Sequence, residues 1–494
     1  MTVVLLLVAL TLVAASARLP NFVVLFADDM GFGDPSVYGH PTIRTPNIDQ
    51  LAMEGIRFTQ WYSAFHVCSP SRAAMLTGRL PIRSGCAGSG PDGGVFPNNA
   101  VGGLPTNETT IPELLKSKEY KSAAVGKWHL GQRKEHLPTN NGFDEYFGVP
   151  YSDDMGASAW TSEKGIPLPL VKDETVMEQP ANLGTLTQRY ADYCRDFIER
   201  NKNNNFFLYM AFNHVHTPNF VSKEFCNTSI RGRYGDAAAE MDDAIGQIMK
   251  SLKDNEVDNN TIVFFTSDNG PWLIRELEGG SAGLLYEGKT TTWEGGVREP
   301  GIVRFPPLIK AGRISHEVVT TYDIFSTVLT LADVREPTDR IIDGRDMSPI
   351  LFDVTGKTSH KCLFIYKGTP NEKLTGLWAI RCGPYKAHYV TNTHLNHTAV
   401  IHNPALLYHL EYDPGENFPI DSKSSEYEEA MLVIEAAKKE HEATLKPVPN
   451  QMAMGGNDEY KLCCDKDSQK KYSQYPPCTC NPENFHAWKC GNPV

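Results

Sequence analysis

The sequence predicts an α/β protein: a large, mostly parallel sheet flanked by helices, followed by a smaller antiparallel sheet. Three observations carry that expectation. The chain has 494 residues, too many for one small core and suited to one large domain plus a smaller one. Four nearly continuous apolar runs of strand length each end in polar residues. From about Asp343 onward, helix–strand alternation gives way to short strands and one long helix. Domain boundaries follow as residues 18–342 and 343–494.

The first apolar run, Asn21 to Ala27, ends in Asp28-Asp29-Met30-Gly31. Adjacent carboxylates at the end of a buried strand are costly unless paired or bound to metal; Gly31 and Gly33 would also allow an ordinary polar turn. Thr45 to Phe58 begins as a capped helix that should end near Gly55. Thr110 to Ser117 reads as a short helix. Lys121 to Val125 reads as a strand running into Gly126-Lys127-Trp128-His129-Leu130-Gly131. A third strand, Asn205 to Ala211, is followed by Asn213-His214-Val215-His216. The periodicity of Tyr234 to Asn255 predicts a helix burying Ala238, Met241, Ile245, Ile248, Met249 and Leu252. A fourth strand, Thr261 to Thr266, ends in Ser267-Asp268-Asn269-Gly270, and a loop leads to Glu287-Gly288-Lys289-Thr290 and Glu294-Gly295-Gly296-Val297-Arg298-Glu299-Pro300. Ligands in open α/β sheets bind beyond the carboxyl ends of the strands. Polar residues at four such ends therefore describe a site.

The second part reads as strands at Cys362 to Lys367, Leu377 to Arg381, Lys386 to Val390 and Leu406 to Leu410, with a helix at Ser425 to Leu445 against them. Cys362 and Cys382 lie at the far ends of one hairpin and could pair across it. Of 11 cysteines, five crowd the tail: Cys463, Cys464, Cys478, Cys480 and Cys490. An odd set cannot pair fully within itself.

Composition excludes wholesale disorder, with 41% hydrophobic and 21% charged residues. A net charge of −12 argues against a nucleic-acid partner. Met1 to Ala17 reads as a signal peptide: Val3 to Val13 is almost wholly apolar and Ala15-Ser16-Ala17 offers a cleavage site. The apolar run is too short to span a membrane, and no later stretch reaches transmembrane length. Sequons at Asn107, Asn227, Asn259 and Asn396 fit a secretory route. Oligomeric state is open to a homo-oligomer.

One stretch organises the rest: Cys68-Ser69-Pro70-Ser71-Arg72-Ala73-Ala74-Met75-Leu76-Thr77-Gly78-Arg79. Ser69 to Ser71 read as a turn and cap, and Arg72 to Arg79 as the first turns of a helix. Cys68 then sits at a helix N-terminus, which favours negative charge. Arg72 adds a fork suited to an oxyanion. A lone cysteine here would read as an inert buried thiol. The stretch resembles the sulfatase signature C-x-P-S-R-x-x-x-L-T-G at every fixed position, and Gly126 to Gly131 resembles the family's second motif.

The resemblance runs from about Pro20 to at least Asn417. It implies an alkaline phosphatase-like fold and a sulfuric ester hydrolase of the arylsulfatase type. Cys68 would be oxidised by a formylglycine-generating enzyme to formylglycine, whose hydrate has one hydroxyl to attack the sulfate ester and a second to expel sulfate. The resemblance further implies that Asp28, Asp29, Asp268 and Asn269, with the converted Cys68, hold one calcium ion; oxygen ligands suit a hard cation independently. Lys127, His216 and Lys289 would contact the sulfate, with Ser152 beside them. Arg72 and His129 would steady the diol, and His216 would protonate the leaving group. Within the family, arylsulfatase A-like enzymes of aryl or glycolipid sulfates and N-acetylgalactosamine-6-sulfatases of glycosaminoglycans are the two branches resembled. Glu287 departs from the former, which has cysteine there. The expected location is the secretory pathway, either the lysosome or outside the cell. Two rivals remain: a two-zinc phosphatase on the same superfold, which lysines around the site disfavour, and a non-catalytic sulfatase-like binding protein, which an intact residue set disfavours.

Overall fold

The computed structural model describes residues 18–88, 94–156, 168–353, 356–368 and 376–462. The signal segment and the five tail cysteines lie outside these residues.

An 11-stranded mixed sheet forms the centre of the larger part. Its middle is parallel and runs Thr261–Ser267, Asn21–Ala27, Phe206–Ala211, Lys121–Lys127 and Glu145–Val149, side by side. Every residue of the first three is buried, which is why these strands read as unbroken apolar runs. Gly126 (φ 102°) lets the Lys121–Lys127 strand press against its neighbour, since a Cβ there would lie 1.8 Å from the Ala211 carbonyl oxygen.

Antiparallel strands extend both edges. Arg298–Arg304 pairs with Thr261–Ser267 and with Ile56–Tyr62; Leu170–Lys172 and Thr175–Glu178 continue the other edge. The Ile56–Tyr62 and Arg298–Arg304 strands escape the sequence pattern because arginine, glutamine, glutamate and proline interrupt them. Their polar groups find partners inside the fold: Arg298 Nε donates to the Thr59 carbonyl at 2.7 Å, and Arg304 pairs with Glu54 and Asp258. Helices pack in two groups. Pro46–Glu54, Leu183–Asn201 and Arg233–Asp254 form one, and Cys68–Thr77, Ile111–Leu115 and Asp323–Leu331 the other.

The smaller sheet has four antiparallel strands in sequence order, with the Ser425–Glu442 helix packed on it. Cys362 and Cys382 face each other in register and form a disulfide. Cys226 is also disulfide-bonded, whereas Cys86 and Cys194 are free buried thiols, so the ten cysteines other than Cys68, although even in number, are not all paired. The last strand spans Val400–His409 rather than 406–410; its first half, Val400 to Pro404, is largely exposed on apolar and polar residues alike, which hides the alternation.

A second correction concerns the organising stretch. Its helix runs Cys68–Thr77, starting at Cys68 itself rather than at Arg72. Val67 is the extended N-cap, and Ser69 and Ser71 lie inside the first turn, where Ser71 Oγ donates to the Phe65 carbonyl at 2.8 Å. Gly78 (φ 68°) ends the helix, and a Cβ there would meet the Phe325 ring at 2.5 Å.

Candidate active site

All sequence-predicted core residues converge at the carboxyl end of the parallel strands. Starting the helix at Cys68 puts Arg72 one turn later on the same face. Cys68 Sγ is buried and lies 3.6 Å from Asp28 Oδ1, 3.6 Å from Lys127 Nζ and 3.5 Å from Lys289 Nζ. Burial pushes the thiol well above its usual pKa, although both lysines pull the other way.

The carboxylates are bracketed by cations. Lys127 Nζ donates to Asp28 Oδ2 at 2.5 Å and to Ser152 Oγ at 3.0 Å. Lys289 Nζ donates to both oxygens of Asp29, at 2.6 and 2.8 Å. Arg72 donates twice to Asp268 Oδ2, at 3.1 and 2.7 Å, and lies 3.3 Å from Asp28 Oδ1. Burial alone would raise Asp28; Lys127, His216 and Arg72 reverse this and hold it below the usual carboxylate range. Burial opposes charge on Lys127 and Lys289 as well, yet their carboxylates keep both above the ordinary lysine value.

The two histidines differ. His216 Nδ1 faces the Thr217 carbonyl at 2.5 Å, so it carries the proton and leaves Nε2 as the face turned to Asp29 Oδ2, 3.4 Å away. Trp272 packs against the His216 ring at 5.4 Å and lies 4.7 Å from Lys289 Nζ. His129 Nε2 donates to the Phe96 carbonyl at 3.1 Å, which leaves Nδ1 a bare acceptor, buried and without a partner. Burial, then Lys127 and Arg72, hold His129 well below its ordinary pKa, so it is neutral.

The donor set fits a hard cation. Asp28, Asp29, Asp268 and Asn269 supply oxygens, and Asn269 donates through Nδ2 to Asp29 Oδ1 at 2.7 Å while its Oδ1 is buried and unpartnered. Ligand atoms of Asp28, Asp29, Cys68 and His216 lie within 4.8 Å of one another.

Sequence reasoning missed Trp272, Phe96 and Asp153. Trp272 and Phe96 sit in long loops, and their parts come from a ring face and a carbonyl, which leave no mark in residue patterns. Asp153 directly follows Ser152, but nothing in the string shows that it faces His216.

This fold is that of the sulfatases. The chain belongs to that family: the sulfatase family model matches residues 20–334, and the model for the C-terminal region of aryl-sulfatase matches 358–480. It is a sulfuric ester hydrolase. Arylsulfatase A from Homo sapiens is 38% identical over 514 residues, covering 97% of this chain and 98% of that protein. N-acetylgalactosamine-6-sulfatase from Homo sapiens is 41% identical over 467 residues, covering 88% and 87%. Among solved structures, the PsFucS1 sulfatase from Pseudoalteromonas sp. superposes with a TM-score of 0.78 at 28% identity, covering 91% of this chain and 93% of that one. Among the described residues, no helix is long and apolar enough to cross a membrane.

Proposed function

We propose that this enzyme hydrolyses sulfate esters through a formylglycine made from Cys68 by a formylglycine-generating enzyme, with one calcium ion. The observation that carries the reading is the surroundings of Cys68: a helix N-terminus, Lys127 and Lys289 at 3.6 and 3.5 Å, and Asp28 at 3.6 Å. Formylglycine, as a hydrated aldehyde, supplies the nucleophilic hydroxyl and a second hydroxyl for sulfate release. Calcium, held by Asp28, Asp29, Asp268, Asn269 and position 68, would neutralise charge on the sulfate.

The protein's own groups do the rest. Lys127 and Lys289 flank position 68 and bind sulfate oxygens, with Ser152 fixing Lys127. Arg72 locks Asp268 and Asp28 in place. His129 offers a neutral Nδ1 to take a proton from a hydroxyl at position 68. His216 keeps its Nδ1–H on the Thr217 carbonyl and turns Nε2 towards the site; in the doubly protonated ring, the Nε2–H passes to the leaving oxygen and leaves a neutral imidazole.

The catalytic part is residues 18–342, and 343–494 form the second domain. The substrate is an arylsulfatase A-type aryl or glycolipid sulfate, or a glycosaminoglycan N-acetylgalactosamine-6-sulfate. All four sequon asparagines (Asn107, Asn227, Asn259 and Asn396) are exposed, which supports glycosylation and a route to the lysosome or the exterior. Purified enzyme assayed on an aryl sulfate, sulfatide and a galactosamine-6-sulfate oligosaccharide tests the reading: sulfate is released from at least one, and release from none would overturn it.

A further inference from the structure

Asp153 is a buried acid with no hydrogen-bond partner. It opens the short turn Asp153–Met155, directly after Ser152, and is 2% exposed. Both carboxyl oxygens are buried and lack a hydrogen-bond partner. His216 Nδ1 lies 3.8 Å away, but its proton is already given to the Thr217 carbonyl. Lys127 is committed to Asp28 and Ser152.

A buried carboxyl left unsatisfied is destabilising, so a group that persists in this state calls for a ligand. Its position says which. Ser152 Oγ holds Lys127, and Asp153 lies beside His216, so the carboxyl sits next to two residues read above as contacts of the sulfate ester. Fixed protein groups thus surround the sulfate, and the open valence at Asp153 falls to the alcohol part of the substrate. A bound cation is disfavoured here because His216 Nδ1 would have to surrender the proton that Thr217 accepts.

We propose that Asp153 is a specificity-determining residue that hydrogen-bonds a hydroxyl on the alcohol part of the sulfate ester, selecting polyhydroxylated sugar sulfates over plain aryl sulfates. The proposal rests on the reading of the site as a sulfatase centre. Burial holds the Asp153 carboxyl well above the usual range. A hydroxyl, both donor and acceptor, satisfies it with or without its proton; an aryl ring satisfies neither form. A site built to hydrogen-bond a substrate group discriminates strongly against analogues lacking it. The sugar could come from a glycosaminoglycan or a glycolipid, which present the same chemistry.

The test compares kcat/KM for the wild type, Asp153→Ala and Asp153→Asn on p-nitrophenyl sulfate, a galactosamine-6-sulfate oligosaccharide and sulfatide in micelles. The faster of the two sugar esters identifies the source. On that ester, Asp153→Ala should lose about 30-fold, and its loss on p-nitrophenyl sulfate should be at least about tenfold smaller. Asp153→Asn, which keeps an acceptor and the shape, should fall between. Parallel losses on sugar and aryl esters, or no loss on either, would overturn the role of Asp153. A wild type inactive on every ester would instead overturn the sulfatase reading.

Discussion

Asp268 shows how tightly the site residues depend on one another. Its Oδ2 takes two hydrogen bonds from the buried Arg72 guanidinium, and its Oδ1 accepts from the Asp29 backbone at 3.1 Å. On the proposed calcium site, Asp268→Ala removes one ligand, and it strips Arg72 of its main partner. Breaking a buried pair costs about 3 kcal/mol or more, so the variant should melt at lower temperature and lose turnover. Chelation should lower the melting temperature of the wild type and leave that of Asp268→Ala nearly unmoved; equal chelator shifts would remove Asp268 from the metal site. Cys68→Ser separates attack from release. Serine offers one hydroxyl, so at most one equivalent of alcohol is released before the enzyme stops with sulfate on the serine; sustained turnover by this variant would reject the diol mechanism. At this scale the site was largely legible. Asp28, Asp29, Lys127, Asp268 and Asn269 stand next to apolar runs, so a strand and its polar end identify each other. Asp153 was not, because a burial state and a missing partner are properties of the folded neighbourhood.

At the level of elements, the loop carrying Lys289 is held by the smaller sheet and the loops that follow its strands. Lys367 Nζ donates to the Thr290 carbonyl at 2.6 Å, Trp293 Nε1 to the Asn392 carbonyl at 2.9 Å, and the Glu294 N–H to Glu416 Oε2 at 2.6 Å. Glu287, where the sequence departs from arylsulfatase A, accepts at Oε2 from the His394 backbone at 2.7 Å and pairs with His394 Nδ1 at 2.6 Å. This clamp fixes the backbone two residues before Lys289. Glu287→Gln and His394→Ala should each raise KM by about tenfold with a smaller effect on kcat, and the double variant should do little worse than either. Additive effects would show that the pair does not act together. Four of the five central parallel strands and the small sheet were readable from pattern, whereas the five-residue Glu145–Val149 was not. The strands Ile56–Tyr62 and Arg298–Arg304 escape it, because cross-fold partners for their charges replace the alternation that a lone strand would need.

The two parts of the molecule also meet at His441, on the Ser425–Glu442 helix. Its ring stacks on Phe364 at 3.7 Å and its Nε2 meets the Tyr366 hydroxyl at 2.9 Å, with Arg83 from the larger part 3.4 Å from Nδ1. Burial, with Arg83 beside it, lowers its pKa to about 4. The unfolded chain, with a histidine near 6.5, binds this proton more readily, so stability falls as pH drops from 6.5 towards 4. Between pH 7 and pH 5 this amounts to about 2 kcal/mol. Denaturant titrations across that range should show the slope, and His441→Gln should flatten it; an unchanged slope would place the acid sensitivity elsewhere.

The most direct test of the central claim is the chemical state of residue 68 in enzyme that turns over. Mass spectrometry of the peptide carrying Cys68, taken from preparations of differing specific activity, should find the aldehyde, with activity rising in proportion to the aldehyde fraction. Full activity in a preparation whose residue 68 is wholly thiol would contradict the account.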